Sequence, residues 1–242
     1  MNDVLIIIPT YNEIENIDKI IKSIFDLYND INILVVDDNS PDKTSMKVIE
    51  LQTKYKQQLY LQIRKKKSGL GPAYIHGFKW AIEKKYNFIF EMDADFSHDP
   101  GDIKKLYNTC NDGLADISVG SRYKEGINVV NWPIGRIMLS LFASYYVRLI
   151  TGMNIKDPTS GFICYKRAVL EKINLDMVKF IGYAFQIEMK YKSYLNKFKI
   201  IEIPIIFTDR KYGKSKLNAS IINEAVFGII LMRIKSFFSI DF

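Results

Sequence analysis

The sequence predicts an α/β fold, a mostly parallel sheet with helices on both faces. Three observations predict it. Strand-like and helix-like segments alternate from residue 4 to residue 120, the rhythm of a parallel sheet with crossover helices. The leading strand-like runs are apolar throughout, as in strands buried on both faces. The strands also end in polar clusters, at 10–13, 37–42, 93–98 and 121–123. In open α/β sheets, ligands gather at those carboxyl ends.

Each element has its own signature. Residues 4–9 are a continuous apolar run, read as the first strand. Ile14, Ile17, Ile20, Ile21, Ile24 and Leu27 then form a helical stripe over 14–28. A β-branched run at 31–37 is the second strand, 43–56 a helix, 59–64 the third strand and 71–85 a helix. Residues 87–93 read as the fourth strand, 99–111 as helix and 115–120 as the fifth strand. Beyond Gly126 the rhythm changes. Residues 133–150 have helical periodicity but are apolar on every side, which predicts either deep burial or contact with lipid. A strand at 162–166, a helix at 183–196, a strand at 200–207 and a last helix at 217–237 complete the chain.

Composition bounds the function. With 242 residues and 48% hydrophobic content the chain can bury one large core, so disorder is excluded as the default. No linker or repeat divides it. The expected organisation is a catalytic domain over 1–217 and a C-terminal amphipathic helix over 218–242 that faces a membrane or a partner. A net charge of +7 favours anionic partners. The basic run at 64–67 reads as a solvated face, and no nucleic-acid motif accompanies it, so no nucleic-acid partner is expected. Cys110 and Cys164 lack metal or redox spacing and read as buried, reduced thiols. The chain enters its first strand with no basic n-region, which predicts no signal peptide. The longest apolar stretch, 225–232, is too short to cross a membrane.

Chemistry concentrates at the strand ends. Asp93 and Asp95, spaced i and i+2 after the fourth strand, suit Mg²⁺ or Mn²⁺ beside a diphosphate, since hard cations take oxygen ligands. Acids after strands also serve as caps, and that reading stands beside the first. Asp37 can accept hydrogen bonds from a base or ribose, while Asn39, Ser40 and Asp42 suit capping of the following helix. Gly69 and Gly71 precede a helix with Pro72 in its first turn. This is a weak anion-site signal, and a plain tight turn is the stronger reading. Arg122, Arg210 and Lys216 supply fixed positive charge for phosphates, with a solvated basic loop as the alternative at 209–216.

Taken together the motifs resemble one family, the dolichyl-phosphate mannosyltransferases, inverting enzymes of the glycosyltransferase-A, Rossmann-like fold. The matching segments are Pro9-Thr-Tyr-Asn-Glu13, Val36-Asp-Asp-Asn-Ser-Pro-Asp42, Gly69-Leu-Gly71 and Met92-Asp-Ala-Asp-Phe-Ser-His98. They continue as Gly120-Ser-Arg-Tyr123, Asp157-Pro-Thr-Ser-Gly-Phe162, Gly182-Tyr-Ala-Phe-Gln-Ile-Glu188 and Asp209-Arg-Lys-Tyr-Gly-Lys-Ser-Lys216. Order and spacing agree over about residues 4–217. Pro72 stands where that family usually has Thr or Ser, and Ile163 where an Arg commonly follows Gly-Phe.

The resemblance implies mannose transfer from GDP-mannose to dolichyl phosphate. It implies donor contacts from Pro9, Tyr11, Glu13, Asp37, Asp93, Ala94, Asp95, Arg210 and Lys216, with the metal on Asp93 and Asp95. Asp95, Arg122, Arg210 and Lys216 would carry catalysis. It also implies a peripheral location on the cytosolic face of the endoplasmic reticulum membrane, small hydrophobic partner subunits, and roles in protein glycosylation and GPI anchor biosynthesis. A phosphomonoester acceptor is largely a dianion near neutrality, so direct attack without a catalytic base is expected. A polyprenyl-phosphate glucosyltransferase using UDP-glucose, and a non-catalytic nucleotide-sugar-binding subunit, are the alternatives.

Overall fold

The computed structural model describes residues 1–210 and 219–238, the side chains of 219–225 excepted. Its first half runs β1 (Val4–Thr10), α1 (Ile17–Leu27), β2 (Asn32–Asp37), α2 (Thr44–Gln52), β3 (Leu59–Ile63), α3 (Leu70–Glu83) and β4 (Phe88–Glu91). A 3₁₀ turn, Pro100–Asp102, leads into α4 (Ile103–Asn111), followed by β5 (Ile117–Ser121), β6 (Val129–Val130) and α5 (Ile134–Thr151). Then come β7 (Ile163–Lys166), α6 (Arg167–Lys172), α7 (Ala184–Leu195), β8 (Ile200–Pro204), β9 (Phe207–Thr208) and α8 (Ala219–Phe237).

Seven strands form one sheet in the order β3-β2-β1-β4-β7-β5-β8. It is mostly parallel, as the sequence predicts. The exception is β7, which runs antiparallel to both β4 and β5 and stands between them. Val4 to Ile8 of β1 are all fully buried, which explains their unbroken apolar run. Alternate residues feed opposite cores. Ile6 and Ile8 pack with Ile20, Ile24 and Leu106 under α1, α2 and α4, while Leu5 and Ile7 pack with Tyr74, Phe78 and Phe185 under α3 and α7. Gly77 lets α3 lie on β1, because a Cβ there would come 2.7 Å from Ile7.

Three expectations are refined. The strand expected at 200–207 is interrupted after Pro204, and its second part pairs with β6 in a separate two-stranded ribbon. The helix expected at 43–56 is shorter, since Lys43 takes the left-handed conformation (φ 68°) and the helix ends at Gln52. The helix at 133–150 is neither fully buried nor fully exposed. It packs Ser144, Val147 and Thr151 inward and shows its opposite side to solvent. α8 packs against both α5 and α7 through Ile229, Met232, Val147 and Tyr191. Cys110 and Cys164 are free and buried.

Candidate active site

The parallel strands end along one edge, and the polar clusters meet there. The loops after β1 and β2 are tied together through Asp37. Its carboxylate accepts from the Thr10 hydroxyl (2.8 Å), the Ser40 amide (2.9 Å) and the Ser40 hydroxyl (2.6 Å). Asp37 is fully buried, so in this structure it organises the loops rather than facing the cleft. Asp42 adds a second knot, accepting from the Thr44 amide and hydroxyl and from the Ile14 amide. Of the residues expected to cap the following helix, only Asp42 reaches its first residue, Thr44. The N-cap position is Lys43 and carries no side-chain cap. Ser40 instead accepts from the Asn12 amide, so the cluster serves as the strut that positions 9–13. Glu13, half-buried, accepts from Asn16 at 3.0 Å. Tyr11 lies under the Lys67 ammonium at 4.3 Å, and Arg64 pairs with Asp38 at 3.0 Å. Lys65, Lys66 and Lys67 are exposed, as a solvated run should be, while Arg64 and Lys67 also make these contacts to the edge.

Glycines 69 and 71 serve packing. A Cβ on Gly71 would lie 2.3 Å from the Phe180 carbonyl oxygen, and its amide donates to the Ile181 carbonyl. Gly69 has φ +100°, and a Cβ there would strike Ile181. The tight-turn reading holds, with the Gly71 amide engaged within the protein.

Asp93, Ala94 and Asp95 form the turn directly after β4. Asp95 accepts from the Ser97 amide at 3.1 Å and pairs with Arg210 at 3.4 Å. Burial first, and then the charge of Asp95, push the Asp93 carboxyl up to about 7, while Arg210 pulls it back. Two carboxylates held this close, in a half-dry turn, repel one another, and a hard divalent cation relieves that strain. Among the described residues no group of three His, Cys, Asp or Glu side chains is arranged to hold a metal ion. Two carboxylates are a donor set that fits a hard cation whose other ligands come from phosphate and water.

The turn is steadied from below by His98, whose Nδ1 accepts the Asp93 amide at 3.2 Å. That bond puts the ring proton on Nε2. The ring is stacked on Phe162 and buried, and burial pushes its pKa down to about 4. His98 is therefore neutral at physiological pH.

Arg122 follows β5 and is clamped by Asp157. Its Nε lies 2.7 Å from Oδ2 and its Nη2 2.5 Å from Oδ1, while the Arg122 amide donates to Oδ2 and Nη2 donates to Thr159. Burial alone would raise the Asp157 pKa, but the guanidinium holds it below the ordinary carboxylate range. Trp132 and Phe207 lie 5.5 Å from the guanidinium carbon. Glu202 of β8 completes the support, accepting from the Asp157 and Lys156 amides and the Ser121 hydroxyl. Opposite, Arg210 lies beside Tyr183, and the preceding Asp209 pairs with Arg136 of α5 at 2.8 Å. Lys216 lies outside the described residues.

The structure thus brings Asp93, Asp95 and Arg210 together, and places Pro9, Tyr11, Glu13 and Arg122 on the same strand-end edge. Sequence reading missed Thr10, Thr159, Glu202, Arg136 and the buried Lys190, whose ammonium donates to the Pro158, Ser160 and Gln186 carbonyls. Only one of these announced itself. Glu202 is a lone acid in the apolar strand Ile200–Pro204, whereas Lys190 stands between Glu188 and Lys192 in a helix whose burial its sequence does not show.

The chain has known relatives. The profile of the family described as glycosyl transferase family 2 matches residues 5–174. The chain belongs to glycosyl transferase family 2. It is similar to the polyprenol monophosphomannose synthase of Mycolicibacterium smegmatis, 43% identical over 93% of this chain and 84% of that one. It is also similar to the undecaprenyl-phosphate mannosyltransferase of Micrococcus luteus, 38% identical over 93% and 92%. With the dolichol-phosphate mannosyltransferase of Pyrococcus furiosus identity is 38% over 91% of this chain and 61% of that protein. Among solved structures, glucosyl-3-phosphoglycerate synthase from Mycobacterium tuberculosis superposes with a TM-score of 0.70. It covers 95% of this chain and 79% of that one at 16% identity, which establishes the shared glycosyltransferase fold. The protein is a family 2 glycosyltransferase.

Proposed function

We propose that the protein transfers mannose from GDP-mannose to a polyprenyl phosphate, dolichyl phosphate being the long-chain case, with inversion at the anomeric carbon. The observation that carries this reading is the meeting of the Asp93–Asp95 turn with Arg210 at the strand-end edge. It juxtaposes a seat for a cation with a guanidinium, as a departing nucleoside diphosphate requires. The mannosyl and polyprenyl-phosphate assignments draw on the names of the three relatives, and the guanosine on the motif resemblance.

Asp93 and Asp95 would hold Mg²⁺ or Mn²⁺, and that cation supplies charge neutralisation to the leaving diphosphate. A solved relative of this fold carries Mn²⁺ together with uridine diphosphate, which supports a divalent metal here. Pro9, Tyr11 and Glu13 would line the nucleoside side, positioned by the Asp37 knot. Arg122, fixed by Asp157, would face the acceptor phosphate, and Arg210 would close over the donor.

In the reaction one acceptor phosphate oxygen bonds to the sugar anomeric carbon as the bond to the GDP oxygen breaks, and GDP leaves as the anion. Two observations favour a reaction without a catalytic base. Asp157 is committed to Arg122, and Glu188 accepts the Lys179 and Phe180 amides at 2.9 and 3.0 Å. The acceptor, already ionised, has no proton to give.

The acceptor lipid resides in a bilayer, so the proposed workplace is a membrane surface. In a eukaryotic cell this is the cytosolic face of the endoplasmic reticulum. In organisms like those of the three relatives, two bacteria and an archaeon, it is the cell membrane.

The deciding experiment is a transfer assay with purified protein, detergent, polyprenyl phosphate and Mg²⁺ or Mn²⁺, comparing labelled GDP-mannose with UDP-glucose. Metal-dependent mannosyl transfer, reduced at least about 100-fold in Asp95→Asn, is expected. Glucosyl transfer instead would overturn the donor. Absence of any transfer, with nucleotide still bound, would favour a non-catalytic nucleotide-sugar subunit.

A further inference from the structure

A buried polar chain lies beneath the site, with no part in the chemical step. Glu91, the last residue of β4, and Gln186 and Lys190, one turn apart on α7, are each at most 1% exposed. The Gln186 side-chain amide donates to the Glu91 carboxylate. The Lys190 ammonium engages three backbone carbonyls, those of Pro158 at 3.1 Å, Ser160 at 2.6 Å and Gln186 at 3.2 Å, which uses all its protons. Ser160 in turn donates its hydroxyl to the Gly120 carbonyl of β5 at 2.5 Å. One helix thus grips both the end of β4 and the 157–160 loop. The grip spans the inserted strand, since Ile163 of β7 pairs with both Glu91 and Val119.

Such a chain is a costly way to fill space. A buried ammonium loses its hydration, and a methionine of similar length would pack α7 on the sheet without that loss. Burial pushes the Lys190 pKa down to about 8, with Glu91 and Asp157 holding it up, so the side chain is still a cation at pH 7. What the ammonium adds over a methionine is direction. Its hydrogen bonds fix the carbonyls of residues 158 and 160, immediately after Asp157. Asp157 takes Arg122 at two points, so a loop held there holds the guanidinium.

We propose that Lys190 and Gln186 are positioning residues for transfer, latching the Asp157–Arg122 clamp to the β4 end that carries the Asp93 turn. Both are buried and act through Arg122 rather than on a substrate. The assignment rests on the proposed function, in which Arg122 faces the acceptor phosphate and Asp93 the donor diphosphate. In-line attack needs those two anions at a set separation, and an error of about 1 Å can lower turnover about 100-fold.

The test compares wild type with Lys190→Met. Steady-state transfer from GDP-mannose to a short, water-soluble polyprenyl phosphate, with Mn²⁺, gives kcat/KM for the acceptor. Isothermal titration gives the affinity for GDP. The acceptor kcat/KM is expected to fall at least about tenfold, while GDP affinity stays within about twofold. Hydrogen exchange then separates a latch from a lysine that merely supports the fold. The amides of Arg122 and Asp157, which donate to Asp157 and Glu202, should exchange at least about tenfold faster in the variant, with those of β2 unchanged.

An acceptor kcat/KM equal to that of wild type overturns the proposal, as does an equal loss of acceptor and GDP binding. Exchange that quickens evenly over the whole chain also overturns it. If Lys190→Met does not fold, Gln186→Met takes its place, because it removes one side-chain hydrogen bond and leaves the lysine clip intact. Its expected acceptor loss is at least about threefold with GDP affinity kept, and no loss overturns the proposal. If wild type transfers no mannose, the proposed function fails, and the exchange measurement alone decides whether the latch exists.

Discussion

At the scale of single residues, the site is built by pairs whose members cannot be removed independently. Arg122 and Asp157 are both buried and bonded at two points. Asp157→Leu alone should cost about 3–5 kcal/mol in urea unfolding, because it strands a buried guanidinium. Adding Arg122→Met should restore most of that stability yet leave no transfer. Full stability loss in the double variant would show that the pair also holds the loop at 157–160.

His98 gives a pH prediction. Its folded pKa is about 4, against an ordinary value of 6.5. Below pH 6.5 the unfolded chain takes up a proton that the folded chain refuses, so stability is complete above 6.5 and declines as pH falls toward 4. The loss is on the order of 3 kcal/mol. It should be missing in His98→Gln, whose amide oxygen can still accept from Asp93, when the two proteins are melted across that window. Asp93, Asp95, Arg122 and Arg210 were legible from sequence because charge beside a strand end is conspicuous. Asp37 was legible as important but not as buried, because sequence does not say that Thr10 and Ser40 would consume its oxygens. Arg136 was illegible, since its partner is 73 residues away.

At the scale of elements, the agreement is closest where burial enforces the pattern. β1 and β2 were readable almost to the residue, and α1 to within three residues at its start, because their apolar positions have nowhere else to go. Short pieces escaped notice. β6 and β9 have two residues each and exist only through one another, and α6 has six, too few to show a period. The apolar helix at 134–151 was ambiguous for a sound reason, since exposed and buried apolar faces are identical in sequence. Gly71 yields a prediction at this scale. Gly71→Ala must move the start of α3 away from the Phe180 carbonyl, at a cost of about 1–3 kcal/mol. A drop of roughly 3–10 °C in melting temperature should follow. An unchanged melting temperature would show that the segment at 178–181 yields freely.

At the scale of the whole molecule, a protein of net charge +7 keeps two adjacent acids at its ligand edge. Nucleotide binding should therefore depend steeply on the divalent cation. Isothermal titration with GDP in EDTA should give at least about tenfold weaker affinity than in Mn²⁺, and Asp93→Asn should narrow that gap. Equal affinities would mean that the basic groups alone hold the diphosphate. The parallel character of the sheet was legible from its unbroken apolar strands, whereas strand order was not. Nothing in the sequence of β7 says that it enters between β4 and β5 in the opposite sense. That insertion bears on the protein's birth at the ribosome. The quartet β3-β2-β1-β4 is complete once about 91 residues have emerged, but β4 then ends in an open edge, and β5 has no neighbour until β7 arrives. The Asp93 turn and the Arg122 turn flank that late strand, so a nascent chain can assemble the β1, β2 and β4 strand ends long before the Arg122 side of the edge is fixed beside them.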